Sequence, residues 1–200
     1  ILGFHIRTHG EVNGRSPALF VCNHTSYSDI AVLGALLPAS FVAKKEVANW
    51  PLFGVLAKLQ RTVFVDRSPI RARLQLDEMK ERLESGDSLI LFPEGTSSDG
   101  NAVLPFKSAL FSVAQIEANG KHLLVQPVSI AYTRLDGMPI GRALRPYFAW
   151  YGDMTLVTHF WEVAGLGHTI VDVVFHPPVT MGSYETRKAM AEHCQNVVAC

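Results

Sequence analysis

Two hundred residues carrying 18 basic and 18 acidic side chains, with no formal net charge, lack the basic excess that a nucleic-acid binder normally shows. Hydrophobic residues make up 48% and charged residues 18%, a greasy balance that fits a large core or a surface that meets lipid. A chain of this length buries enough apolar surface to fold without disulfide staples. Cys22, Cys194 and Cys200 are odd in number and stand at no metal-ligand spacing, which points to a reducing compartment and to no metal site. No apolar run reaches the roughly 18 residues of a transmembrane helix. The chain opens in mid-pattern at Ile1-Leu2-Gly3-Phe4 without a methionine, so a longer parent with an N-terminal segment is expected.

In chain order, residues 4–12 suggest a first strand, and Gly10 and Gly14 a turn. Pro17 precedes a β-branched, apolar strand from Ala18 to Cys22, which stops at Asn23-His24. Apolar residues then recur at helical spacing from Tyr27 to Leu37, where Pro38 marks the end. Ser40 to Ala43 suggests a short strand leading into Lys44-Lys45, and Asn49 is placed to cap a helix that opens with Trp50-Pro51-Leu52-Phe53. Arg61 to Val65 suggests a strand ending in Asp66-Arg67. Ser68-Pro69 starts an amphipathic helix with Gly86 past its end, and Ser88 to Phe92 is a strand apolar throughout, as expected for a sheet covered on both sides. Pro105 to Glu117 is expected to be helical, His122 to Ala131 a strand interrupted by Pro127, and residues 137–147 a loop. Asp153 is placed to cap a helix bearing Leu156, Val157, Phe160, Val163 and Ala164. A strand from Ile170 to Phe175 and a helix from Ser183 to Val198 close the chain. Strands and helices alternate without repeats or a linker-like break. That pattern predicts an α/β fold with a mixed, mostly parallel sheet and helices on both faces, formed as a single domain over residues 1–200.

The chemistry gathers at strand ends. His24 sits on a strand-to-helix turn, and Asp29 follows five positions later, in the first turns of the helix. A carboxylate there can fold back onto one imidazole nitrogen, giving the base and the orienter of a triad with no serine or cysteine nucleophile supplied. The missing nucleophile is then the substrate's own hydroxyl. Asp66-Arg67 and Glu94-Gly95-Thr96 also follow strands, and in open α/β sheets ligands bind outside the carboxyl ends of strands. The three groups are therefore expected to converge. An H-x4-D pair is by itself a weak motif, and a histidine ending a buried strand also serves as a structural hydrogen bonder. The accompanying groups raise the catalytic reading.

Four blocks, His24-Thr25-Ser26-Tyr27-Ser28-Asp29, Val63-Phe64-Val65-Asp66-Arg67, Phe92-Pro93-Glu94-Gly95-Thr96 and Val125-Gln126-Pro127-Val128, resemble in order and spacing the motif blocks of the glycerolipid acyltransferase family of the lysophosphatidic acid type. The resemblance covers residues 18–131, the motif-bearing core, with 132–200 completing the domain. Trp150 to Met154 and the Phe160-Trp161 helix further resemble bacterial members that acylate lysophospholipids or lyso-ornithine lipid. It implies a glycerol-3-phosphate acyltransferase-like fold and transfer of a fatty acyl group from an acyl carrier protein or coenzyme A thioester to the hydroxyl of a membrane lysolipid. No permanently bound cofactor is implied. Under it His24 is the general base and Asp29 fixes its tautomer. Arg67, Glu94, Gly95 and Thr96 belong to the acceptor site, with Gly95-Thr96 amides as candidates for an oxyanion hole. Lys44, Lys45 and Arg61 are further candidates for positive charge.

Two positions depart from the family pattern. The third block commonly reads Glu-Gly-Thr-Arg-Ser, and its arginine position is Ser97 here; the glycine that usually opens the second block is Arg61. Loss of a phosphate-binding arginine points toward an acceptor with a less charged head group, such as lyso-ornithine lipid or a zwitterionic lysophospholipid, but Arg61 can partly compensate, so 1-acylglycerol-3-phosphate stays open as acceptor. The apolar group Trp50, Leu52, Phe53, Val55 and Leu56 offers a wall for acyl chains or a patch for the membrane interface. A peripheral position on the cytoplasmic face of the inner membrane is expected, with or without an N-terminal anchor. The competing readings are an acyl thioesterase or lipid hydrolase in which His24 activates water, and a non-catalytic lipid-binding module. The absence of a G-x-S-x-G elbow argues against the commonest lipase design.

Overall fold

The computed structural model describes residues 3–14, 17–50, 53–65, 69–118 and 121–200. Eleven strands and five α-helices follow one another as β1 Phe4–His9, β2 Ala18–Cys22, α1 Ser28–Leu36, β3 Ala39–Lys44, α2 Phe53–Leu59, β4 Val63–Val65, α3 Pro69–Glu84, β5 Ser88–Leu91, β6 Glu117–Ala118, β7 Lys121–His122, β8 Leu124–Leu135, β9 Met138–Pro139, α4 Leu156–Ala164, β10 Thr169–Phe175, β11 Val179–Thr180 and α5 Arg187–Ala199. The main sheet has the order β1-β10-β8-β2-β5-β3-β4. The run β8-β2-β5-β3-β4 is parallel throughout, whereas β10 joins β8 antiparallel and β1 joins β10 parallel. The fold is α/β with a mixed, mostly parallel sheet.

Strand β2 shows why the sheet needs cover on both sides. All five of its residues are buried, and successive side chains point to opposite faces. Leu19 and Val21 enter one core with Leu89, Leu91, Val125, Met79 and Leu83 of α3, and Met190 and Cys194 of α5. Phe20 and Cys22 enter the other with Ile90, Val128, Phe41, and Val32 and Leu33 of α1.

Pro127 does not interrupt β8. It falls between Val125, which pairs with β11, and Val128, which pairs with β10, so its missing N–H costs no ladder bond on that side. The expected helix from Pro105 to Glu117 is instead a 3-10 segment, Ser108–Gln115, followed by β6. Its buried Phe111 and Ala114 are three residues apart, the repeat of a 3-10 turn. Before α2, residues Lys45–Asn49 likewise form a 3-10 turn, so the helix opens at Phe53 rather than at Trp50; Pro51 and Leu52 lie outside the described residues. Arg61 precedes β4 in a left-handed turn at φ 59° and is not part of the strand. Asp153 does not cap α4, because Thr155 occupies the N-cap position. The closing helix starts at Arg187, where the Thr186 hydroxyl accepts the Ala189 N–H at 3.1 Å.

Candidate active site

Strand β2 ends at Cys22, and the backbone of 23–27 turns before α1 opens at Ser28. His24 stands on this turn with its side chain 19% exposed. Its Nδ1 lies 3.0 Å from Asp29 Oδ2, and Phe92 stacks on the ring at 4.1 Å between centroids and 20° between planes. The pairing at Nδ1 leaves Nε2 as the basic nitrogen. Among the described residues no serine hydroxyl or cysteine thiol is hydrogen-bonded to it.

Asp29 is fully buried and its carboxylate is held by four donors. Oδ2 accepts the Thr25 N–H at 2.7 Å and the Ser26 N–H at 2.9 Å, besides the imidazole. Oδ1 accepts the hydroxyl of Tyr132 at 2.8 Å. Tyr132 belongs to β8, next to β2 in the sheet, and its ring stacks on Phe148 at 5.3 Å. Burial first, and then the charge of Asp29, push its phenol well above the ordinary value, so it stays a donor. No local pattern marks this residue, which lies beyond the four motif blocks.

Glu94 enters from the end of β5. Its Oε1 accepts the N–H of His24 at 2.6 Å and its Oε2 accepts the N–H of Leu104 at 2.8 Å. The side chain is only 1% exposed. Both oxygens therefore face backbone amides, and the carboxylate grips the His24 turn from behind. Burial pushes its carboxyl up to about 7, against the lowering effect of the two N–H bonds. Farther along, the N–H of Ser98 donates to the His24 carbonyl at 2.8 Å. The turn after β5 thus holds the His24 peptide on both sides.

The other candidate residues divide. Gly95 is left-handed, at φ +69°, and its N–H donates to Phe92 O at 3.0 Å; that amide is committed to the turn and is not open to an oxyanion. Thr96 follows, exposed. Lys44 ends β3 at the same carboxyl edge as His24, half-buried, with Lys45 exposed beside it. Asp66 and Arg67 lie outside the described residues. The Ser97 hydroxyl donates to the Trp150 carbonyl, so the position occupied by arginine in the family pattern is tied to the scaffold here.

Arg61 is not brought to this site. It opens the turn before β4, which runs parallel to β2 through β3 and β5, and so lies at the amino edge of the sheet, opposite His24. There Arg61 Nη2 pairs with Asp87 at 3.2 Å, while Arg82 donates to the Arg61 carbonyl at 2.9 Å and to Ser40 Oγ at 2.8 Å. A cleft of about 320 Å³ lined by Arg61, Asp87 and Ser40 occupies this edge, away from the histidine.

Cys22, beside the histidine in sequence, is no alternative nucleophile. Burial, followed by the charges of Asp29 and Glu94, raises its thiol well above the ordinary value, and the thiolate is the reactive form. The arrangement can serve as a positioned base with its orienter, and among the described residues no nucleophile is hydrogen-bonded to the imidazole. Among the described residues no cluster of histidine, cysteine, aspartate or glutamate suits a metal ion.

The double acceptor role of Glu94 is testable. Glu94→Gln turns an NH₂ toward one of two N–H donors, leaving a buried donor unsatisfied, and is expected to lower unfolding free energy by about 1–3 kcal/mol. Urea denaturation monitored by circular dichroism measures it; unchanged stability contradicts the double acceptance.

Comparisons with known proteins agree with this geometry. The model of the Acyltransferase family matches residues 5–131. The chain is similar to the lyso-ornithine lipid O-acyltransferase of Brucella abortus, 48% identical over 99% of this chain and 76% of that protein. The enzyme of the same name from Rhizobium meliloti is 43% identical over 96% of this chain and 67% of its own. A 1-acyl-sn-glycerol-3-phosphate acyltransferase of Neisseria gonorrhoeae is 32% identical over 90% of this chain and 67% of its own. The crystal structure of PlsC from Thermotoga maritima, a 1-acyl-sn-glycerophosphate acyltransferase, shares the fold with a TM-score of 0.64, covering 99% of this chain and 70% of that one at 23% identity. The alternation of strands and helices, the His24–Asp29 pair on the turn after β2 and the family match over residues 5–131 together place this chain in the Acyltransferase family.

Proposed function

We propose that this protein is a lysolipid O-acyltransferase that moves a fatty acyl group from an acyl carrier protein or coenzyme A thioester to the free hydroxyl of lyso-ornithine lipid. The observation that carries the reading is a buried, four-donor Asp29 orienting His24, with no nucleophile among the described residues on the free imidazole nitrogen. In this reaction the acceptor oxygen attacks the thioester carbonyl directly while His24 Nε2 takes its proton. The tetrahedral intermediate then expels the thiolate, which recovers that proton from the imidazolium. Asp29 holds the imidazole in the tautomer that leaves Nε2 free and faces the positive charge as it forms.

Two observations favour lyso-ornithine lipid over 1-acylglycerol-3-phosphate as acceptor. Relatives at 48% and 43% identity carry that activity in their names. Ser97, bonded to the Trp150 carbonyl, brings no guanidinium for bidentate contact with a phosphomonoester. Glu94 supports the site through the two backbone amides it holds.

A membrane surface supplies the acceptor. Val55, Leu56 and Leu59 of α2 and Val157 and Trp161 of α4 are all more than half exposed. Trp50, ahead of α2, and Trp150, ahead of α4, meet edge to face at 5.3 Å, and the Trp150 N–H donates to the Thr25 carbonyl at 2.9 Å. This apolar surface therefore adjoins the catalytic turn, and tryptophan with aliphatic residues suits the lipid interface. No helix among the described residues is long and apolar enough to cross a membrane. A peripheral position on the cytoplasmic face of the inner membrane fits a thioester donor made in the cytosol and three free cysteines.

Incubation with a labelled acyl thioester and a panel of lysolipids, with products identified by mass, tests the reading. Acylated ornithine lipid is the expected product; release of free fatty acid at equal rates with and without a lysolipid makes the protein a thioesterase. His24→Ala is expected to lower transfer by about 10² to 10⁴. Tyr132→Phe, which removes one hydrogen bond to a charged group, is expected to lower kcat about tenfold. Trp161→Ser is expected to weaken binding to vesicles of anionic lipid while leaving kcat on acceptor in detergent micelles unchanged; equal vesicle binding removes α4 from the membrane surface.

A further inference from the structure

The left-handed Gly95 stands beside a side chain that none of the motif blocks contains. A Cβ added to Gly95 would lie 2.7 Å from Nζ of Lys107, 3.3 Å from its Cδ and 3.4 Å from its Cε. The end of the lysine thus passes across the bare face of the glycine, and the absent side chain is what lets it lie there. Its root is fixed on both sides. The Lys107 N–H donates to the Pro93 carbonyl at 2.9 Å, the Leu104 N–H is held by Glu94, and the Phe106 N–H donates to Gln195 Oε1 at 2.9 Å. The ammonium is therefore placed over the same turn that grips His24 through Glu94 and Ser98.

Among the described residues this cation has no counter-ion. No carboxylate among the described residues pairs with Lys107, and neighbouring Glu94 is turned inward with both oxygens committed to backbone amides. Lys107 is exposed and so open to an incoming ligand. Ser97, at the position where the family pattern carries arginine, is bonded to Trp150. The positive charge at this turn comes from Lys107 instead. We propose that Lys107 is an anion-binding residue of the acceptor site, its ammonium taking the carboxylate or phosphate of the lysolipid head group. The inference rests on the lysolipid acyltransferase reading. An ammonium is a point charge that serves either anion, whereas a guanidinium favours bidentate geometry.

The test compares wild type with Lys107→Gln and Lys107→Arg in neutral detergent micelles, on lyso-ornithine lipid, on 1-acylglycerol-3-phosphate and on an uncharged monoacylglycerol. Lys107→Gln is expected to raise KM for the anionic acceptor about tenfold, the scale of one charge-assisted hydrogen bond, with kcat changed less than about threefold. KM for monoacylglycerol stays at the wild-type value, and Lys107→Arg restores most of the loss. The arm with the larger KM effect identifies carboxylate or phosphate as the partner. An equal rise on charged and uncharged acceptors makes Lys107 a structural cover for Gly95 and overturns the proposal. A rise in KM for the thioester donor alone, or no rise at all, also overturns it. A wild-type protein that acylates none of the three would instead remove the lysolipid reading itself.

Discussion

A carboxylate with no exposure to water is costly unless donors surround it, and Asp29 meets that requirement with four. Two are backbone amides of the very turn that carries His24, one is the imidazole, and one is a phenol from the neighbouring strand. The turn between β2 and α1 is consequently fixed by the group it must orient. Shifting the carboxylate would strand two buried N–H groups, so geometry at His24 and stability of the turn are set by the same bonds.

Glu94 repeats the device from the other side. A second buried carboxylate takes the His24 amide and the Leu104 amide, and the Ser98 amide closes on the His24 carbonyl. Three consecutive parallel strands, β2, β5 and β3, bring these turns to one edge of the sheet. Phe92, just past the end of β5, stacks on the imidazole and on Phe41 of β3. His24, the proposed base, is thus held by backbone and aromatic contacts, and in the proposed reaction head-group recognition falls to the residues around it. That division suits a family in which one reaction is applied to different lysolipids.

Much of this was legible in the sequence. The five-residue spacing from His24 to Asp29 is local, and alternating strands and helices place successive strand ends on one edge. The partners that complete the site are of another kind. Tyr132 reaches Asp29 across 103 positions through the register of β8 against β2, which no local pattern encodes. Glu94 stands in a motif block and was a candidate for the acceptor, but its hold on two backbone amides was not legible, because an amide leaves no mark in a sequence. Arg61 illustrates the opposite error: it adjoins a motif block, but a residue that opens a parallel strand lies at the far edge from one that closes it. Lys107 became visible only where the chain returns over Gly95.

Direct attack by the acceptor oxygen implies that the acyl group never resides on the protein. The most direct measurement is intact-protein mass after rapid mixing with acyl thioester in the absence of lysolipid, followed by acid quench. Unmodified protein with no burst of thiol release is the predicted result, with thiol appearing only once lysolipid is added. Stoichiometric mass gain by one acyl group, together with a burst of thiol that precedes acceptor addition, would show a covalent acyl-enzyme and contradict the account of His24 as a base acting on the lipid hydroxyl.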